Sequence, residues 1–283
     1  MRKKTNKRYS YYLVAVLCGV LSIVCQQMTA FLSGKERTSI TETKENPPSP
    51  LDAAVADHLE IPAALTKGQE LILHRKGYTA SYNRANKIPN WVAWELTAEK
   101  VKGNAARTND FLPDPDLPKS EAATTQDYKG AKIDRGHMCP AADNKWDKQA
   151  MIESFYLTNI CPQHHNLNRG DWKELEEACR DWALHEGKIY IVCGPILFDK
   201  KHRTIGEHKV VVPEAFFKVI FCPTPYPRAI GFIYKNNAGN NRLDAYANSV
   251  DEVERITGID FYPGLPDEVE KKVESNYVLG DWE

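Results

Sequence analysis

The 283-residue chain has almost no net charge, a formal −1 at pH 7, and no compositional bias: 16 Gly, 17 Pro, 42% hydrophobic and 27% charged residues. Collagen-like and disordered classes are excluded on that ground. There is one long apolar run, which excludes a multi-pass membrane protein, and no internal repeat. Cysteine is scarce. Beyond residue 30 there are Cys139, Cys161, Cys179, Cys193 and Cys222, an odd number at irregular spacing that spells no disulfide framework and allows one or two bridges at most. Cys193 and Cys222 sit in apolar, strand-like runs, where a thiol is usually a small buried hydrophobe. An excess of positive charge is also missing. Arg2, Lys3, Lys4, Lys7 and Arg8 are the only charges of the first thirty residues, and without them 32 cations face 38 acids, a balance of −6. Bulk charge therefore cannot hold a polyanion, and any nucleic-acid contact must come from a local cluster.

What is present begins at the amino terminus. The basic stretch is followed by an apolar run from Tyr11 to Cys25 and then by polar Gln26 and Gln27, the layout of a signal peptide. The run is shorter than the ~20 residues that cross a bilayer as a helix. Residues 1–30 thus read as a signal peptide cleaved after Ala30, or, with the apolar segment extended to Leu32, as an N-terminal membrane anchor. Residues 31–50 collect Pro, Ser, Thr, Glu and Lys and read as a flexible linker.

Residues 51–283 show no second linker and read as one domain of the α+β class, with a mixed, largely antiparallel sheet as its core. Strand patterns are expected over 71–83, 90–101, 153–160, 188–197, 208–222 and 228–236. Residues 103–130 are polar and Pro-rich, a long loop of the kind that is more often functional than idle. A helix is expected from about Leu167 to His185, with Asp171 and Glu174 as a capping box and Gly187 as its end. A last helix is expected over about 249–257, opened by Ser249 and Glu252 and stopped by Gly258.

Chemistry concentrates in Asp134-Arg135-Gly136-His137, an acid, a guanidinium, a glycine and an imidazole in sequence, which no apolar pattern explains. A second concentration runs from Thr158 to Glu176 and contains Cys161, His164, His165, Asn168 and Trp172. Together the two give strand, loop, strand and helix. Cys161 with His164 and His165 looks like half of a zinc site, but no partner pair at suitable spacing follows, and the two histidines read as loop residues flanking a groove. Trp172 reads as core.

In the order and spacing of both blocks the chain resembles the DNA/RNA non-specific endonucleases, the ββα-metal or His-Me finger nucleases. Asp134 through Ala142 match the first signature and Asn159 through Glu176 the second, and the likeness runs from about Gly77 to Trp282. The resemblance implies a ββα-metal catalytic motif with His137 as general base and Asn168 as the one direct protein ligand of Mg²⁺, Mn²⁺ being the other candidate ion. It implies Glu176 as a residue holding metal-bound water, and Arg135 with Arg107 as contacts to the substrate phosphate. Asp134 is expected to fix the loop through hydrogen bonds while the adjacent Arg135 keeps it ionised. The implied substrates are DNA and RNA, cut with little sequence preference because phosphate contacts carry no sequence information.

Elementary chemistry agrees with these roles. Phosphodiester hydrolysis needs a base for water and a cation on the developing charge. Histidine can be neutral and basic near pH 7, and Mg²⁺ keeps its waters and tolerates few protein ligands. If one helix joined them, Asn168 and Glu176 would be ~12 Å apart along it, which favours a water-mediated role for the glutamate. Two rivals remain: a nucleic-acid-binding or uptake protein of the same fold, which would need none of His137, Asn168 and Glu176, and a phosphodiesterase for smaller substrates, which would need no extended basic track. Cys139 and Cys161, beside the motifs, leave open a redox influence on the site.

Overall fold

In the computed structural model, residues 58–198 and 201–282 are described, and the signal or anchor segment and the linker expected over residues 1–50 lie outside them. Eleven strands are present: β1 (Leu71–His74), β2 (Thr79–Asn83), β3 (Ile88–Thr97), β4 (Asp134–His137), β5 (Ile160–Gln163), β6 (Lys188–Ile196), β7 (Thr204–Ile205), β8 (Val210–Val211), β9 (Ala215–Cys222), β10 (Arg228–Lys235) and β11 (Ala247–Asn248). The helices are α1 (Ala98–Val101), α2 (Lys148–Glu153), α3 (His165–Arg169), α4 (Asp171–Glu186), α5 (Val250–Thr257) and α6 (Asp267–Glu274). Seven strands form one sheet in the order β1-β2-β3-β6-β9-β10-β11, with each neighbouring pair antiparallel.

Both faces of this sheet are covered, and the strand period of two sorts its side chains. Ile189, Ile191 and Cys193 of β6 and Phe216 and Ile220 of β9 pack on one face with Trp172, Leu175, Cys179, Trp182 and Ala183 of α4. The alternate residues Tyr190, Val192, Phe217, Val219 and Phe221 pack on the other face with Val250 and Val253 of α5 and Val273 of α6. That double burial is why β9 reads as an unbroken apolar run, with every residue buried. The α+β, largely antiparallel core expected from the sequence is what the chain forms.

Several boundaries differ from expectation, each for a local reason. The segment 71–83 is a hairpin, since the amide of Arg75 donates to the carbonyl of Tyr78 at 2.8 Å and turns the chain. Segment 90–101 leaves the sheet after Thr97, whose side chain caps α1 by accepting from the amide of Lys100. Segment 153–160 is not a strand: it follows α2 through a 3₁₀ turn over Leu157–Asn159, and pairing begins only at Ile160. Within 208–222, Pro213 falls between β8 and β9. The amino end of α5 is as expected, with the Ser249 hydroxyl accepting from the amide of Glu252 at 3.2 Å and Gly258 closing the helix at φ 69°. Helix α6 was not anticipated, although Pro266 followed by Asp267, Glu268 and Glu270 is a helix-start pattern.

The expected helix over 167–185 is two helices. Gly170 sits at φ −108° and ψ −113° between α3 and α4, and an added Cβ there would lie 2.7 Å from the carbonyl oxygen of Asn166. The capping box at Asp171 and Glu174 does not form. The cap position is Gly170, and the Asp171 carboxylate instead accepts from the amides of Asn240 and Asn241 at 2.7 and 3.2 Å and from the hydroxyl of Tyr246.

Candidate active site

The site is built on a two-stranded ribbon. β4 pairs antiparallel with β5, setting Asp134 opposite Gln163, Gly136 opposite Cys161 and His137 opposite Ile160. Gly136 is required by that pairing, because a Cβ there would collide with the Gln163 side chain. Asn159 locks the far end. Its amide nitrogen donates to the carbonyls of Cys139 (2.9 Å) and Ser154 (2.8 Å), while its side-chain oxygen accepts from the amide of Cys139 at 2.8 Å. Helices α3 and α4 follow, giving strand, strand and helix in the expected order. Trp172, fully buried as expected, ties the ribbon to α4 by donating its indole N–H to the His137 carbonyl at 3.3 Å.

A groove of about 890 Å³ opens over the ribbon and is lined by Asp134, Arg135, His137, Asn168, Glu176 and Arg107, so all six residues singled out in the sequence meet in one place. Lys129, Lys145, Arg169, Lys173 and Arg180 also line it, with Glu177, giving seven cations against three carboxylates. This is the local basic cluster that an acidic chain needs in order to hold a polyanion. The five extra cations escaped the sequence reading because they come from four separate segments. Lys173 and Arg180 had a signal, lying three residues before and four beyond Glu176 on one helix face.

His137 lies among aromatic rings, with its centroid 4.8 Å from that of Phe155 and 5.3 Å from that of Phe111. The same rings seat the two arginines, Arg107 at 5.1 Å over Phe155 and Arg135 at 4.2 Å over Phe111. Burial first, then the positive charges of Arg107 and Arg135, lower the His137 pKa to about 3, so the imidazole is neutral throughout the physiological range. Its Nε2 is buried without a hydrogen-bond partner. Nδ1 has no hydrogen-bond partner among the described residues either, and the His137 side chain lines the groove.

Asp134 holds the loop, as expected, but not through Arg135. It accepts from the side-chain amide of Asn168 at 3.0 Å, pairs with Nδ1 of His165 at 3.1 Å and lies 3.4 Å from Nε of Arg169. Burial opposes its charge, yet the bonds from Asn168 and His165 and the charge of Arg169 prevail and hold its pKa low. Arg135 lies over Phe111 instead.

The bond to Asp134 commits the Asn168 nitrogen and leaves its carbonyl oxygen free of hydrogen bonds among the described residues, at the groove wall. Glu176 lines the same wall, and burial raises its pKa to about 7 against the opposing charges of Lys218, Arg180 and Arg107. An oriented amide oxygen and a carboxylate in the lining of one groove fit a hydrated hard cation with few protein ligands. The break at Gly170 places Asn168 in α3 and Glu176 in α4, so the spacing expected along one helix does not apply.

The zinc half-site does not form. Cys161 is fully buried and His165 is engaged by Asp134, and no metal-ligating group that includes them occurs among the described residues. Cys139 and Cys161 are free, fully buried thiols with pKa values raised well above the usual range by burial, so neither offers a thiolate to the groove. The floor behind Glu176 was not foreseen. Asp143 accepts from Arg180 at 3.0 Å and from the Trp94 indole at 3.1 Å, and the fully buried Lys218 ammonium lies 4.5 Å from the Trp172 ring centroid.

The sequence pattern of the DNA/RNA non-specific endonucleases matches residues 56–268. The mitochondrial nuclease EXOG of Xenopus laevis is 33% identical over 235 residues, covering 77% of this chain and 64% of that protein. A protein named nuclease from Nostoc sp. is 30% identical over 281 residues, covering 92% of this chain and 98% of its own. Among solved structures, that of the EndoG/EndoGI complex, described as showing the mechanism of EndoG inhibition, superposes with a TM-score of 0.66 at 27% identity, over 70% of this chain and 88% of that one. The chain spans less than two thirds of the length of the vertebrate EXOG relatives.

Proposed function

Because the chain belongs to the DNA/RNA non-specific endonuclease family, we propose that it is an exported, Mg²⁺-dependent endonuclease that hydrolyses phosphodiester bonds of DNA and RNA with little sequence preference. The observation that carries the reading is a neutral imidazole, His137, in the lining of a groove that carries seven cations.

In this reading Nδ1 of His137 takes the proton from the attacking water. A base must hold a free lone pair at working pH, and burial beside Arg107 and Arg135 keeps the imidazole neutral in the free protein, while a bound phosphate's negative charge would offset the arginines and bring its basicity nearer the working range. Arg135 and Arg107, seated on Phe111 and Phe155, present guanidinium groups to the phosphate oxygens, a match of fork to anion. Asp134 serves by orienting Asn168, whose free carbonyl oxygen would hold the ion, with Glu176 ordering water beside it. When bound, the ion supplies positive charge against the charge developing on the phosphate and the leaving oxygen. Basic side chains outside the Asp134–His137 signature support a polymer over a small phosphodiester, because they extend the cationic track.

Export rests on the basic and apolar amino terminus. Among the described residues no helix is long and apolar enough to cross a membrane. Incubating the purified chain with plasmid DNA and with RNA tests the proposal. Cleavage of both is expected with Mg²⁺ and none with EDTA. His137→Ala should lower the rate ~10²–10⁴-fold while circular dichroism and nucleic-acid affinity stay unchanged; cleavage within a few-fold of wild type would remove His137 from its role.

A further inference from the structure

On the sheet face opposite α4, helices α5 and α6 carry a concentration of acid that the nuclease reading does not use. One oxygen each from Asp251, Glu254 and Glu274 lies within 4.8 Å of the other two. Asp251 and Glu254 are three residues apart, so they share one face of α5, and Glu274 is the last residue of α6.

Acidic clusters are common on protein surfaces, but this one has an interior. Glu274 is only 5% exposed, and its Oε1 is buried with no hydrogen-bond partner. Buried carboxylates ordinarily find a donor. The charges that act most strongly on Glu274 are Glu254, Glu270, Asp251 and Asp260, all acidic, and the one arginine of α5, Arg255, is taken by Glu252. The amide of Phe261 donates to one oxygen of Glu254 at 2.8 Å and leaves the other uncommitted. Burial, then the neighbouring carboxylates, push Glu274 up to about 9 and Glu254 up to about 7, the mark of a site short of positive charge.

We propose that Asp251, Glu254 and Glu274 form a structural binding site for a hard divalent cation of the Ca²⁺ class, which pins α5 to α6 on the sheet face away from the groove. The donors are all oxygen, with no thiolate or imidazole to favour zinc. Three carboxylates offer up to six oxygens, whereas Mg²⁺ keeps most of its waters and takes one or two carboxylates. With bonds of ~2.4 Å, no two ligands of one Ca²⁺ stand more than ~4.8 Å apart, a limit that the three carboxylate oxygens respect.

The test uses the full chain carrying Asn168→Ala, which weakens metal binding at the groove, so that its outcome is separate from that of the nuclease assignment. After removal of bound metal, Ca²⁺ is titrated by calorimetry and thermal unfolding is followed in parallel. One Ca²⁺ per chain is expected, with a midpoint rise of about 5–10 °C at a hundredfold excess over Kd. Adding Glu274→Gln should abolish both. Asp251→Asn, at an exposed position that folding tolerates, should weaken binding at least tenfold and keeps the test decisive if Glu274→Gln does not fold. No binding heat at millimolar Ca²⁺, or affinity unchanged within twofold by these substitutions, would overturn the site. Mg²⁺ binding as tightly as Ca²⁺ would overturn the assignment to the larger ion.

Discussion

A histidine held near pKa 3 and a glutamate held near pKa 7 share one groove, and their roles separate by pH. His137 stays neutral down to strong acid, so it contributes no acidic limb near the ordinary histidine value of ~6.5. Glu176 protonates as pH falls through about 7 in the metal-free protein, and with the proton it loses its attraction for a cation. The Mg²⁺ concentration for half-maximal cleavage should therefore rise as pH drops from 8 to 6. Titrations at both values would check this: Glu176→Gln should need more Mg²⁺ at pH 8 and show a flat dependence, whereas a wild-type requirement that does not change with pH would mean that Glu176 does not influence the ion. Asn168→Ala should raise the half-maximal Mg²⁺ concentration at every pH, because among the described residues Asp134 orients no other neutral oxygen ligand at the groove. An unchanged titration would place the ion elsewhere.

At the scale of elements, the hinge between α3 and α4 sets the separation of Asn168 from Glu176. A methyl group at Gly170 would press on the Asn166 carbonyl at 2.7 Å. Gly170→Ala should thus shift α3 and cost metal affinity at least tenfold while α4, packed through Trp172 and Leu175, stays in place. Circular dichroism together with a Mg²⁺ titration would show it, and wild-type Mg²⁺ dependence would mean that the hinge tolerates the change. This hinge also marks where the sequence stopped being legible. The local patterns found both motif blocks, the covered strands and the caps of α5, because those depend on nearby residues. They misread Asp171 as a cap because its partners Asn240, Asn241 and Tyr246 lie about seventy residues away. They misread 153–160 as a strand because Phe155 and Leu157 are apolar for another reason: Phe155 packs on the His137 ring, and Leu157 belongs to the main core. The six candidate residues were legible as a set, but not the aromatic seats that hold two of them.

For the whole molecule, a −6 balance beyond residue 30 coexists with a strongly cationic groove, so the charge is distributed by function. Affinity for duplex DNA should fall steeply with salt, since each phosphate contact contributes a slope of about −0.9 in log K against log salt concentration. Arg135→Ala should flatten that slope by about 1 and weaken DNA and RNA alike, whatever their sequence. Binding measured across a salt series would decide it, and an unchanged slope would mean that Arg135 makes no phosphate contact. The five described thiols point to a different consequence. All are buried and unpaired, on strands, loops and the α4 face alike. The domain should therefore fold from denaturant as readily with excess dithiothreitol as without it, and in the native state those side chains should resist iodoacetamide. Folding of the described domain asks for neither an oxidant nor a disulfide isomerase.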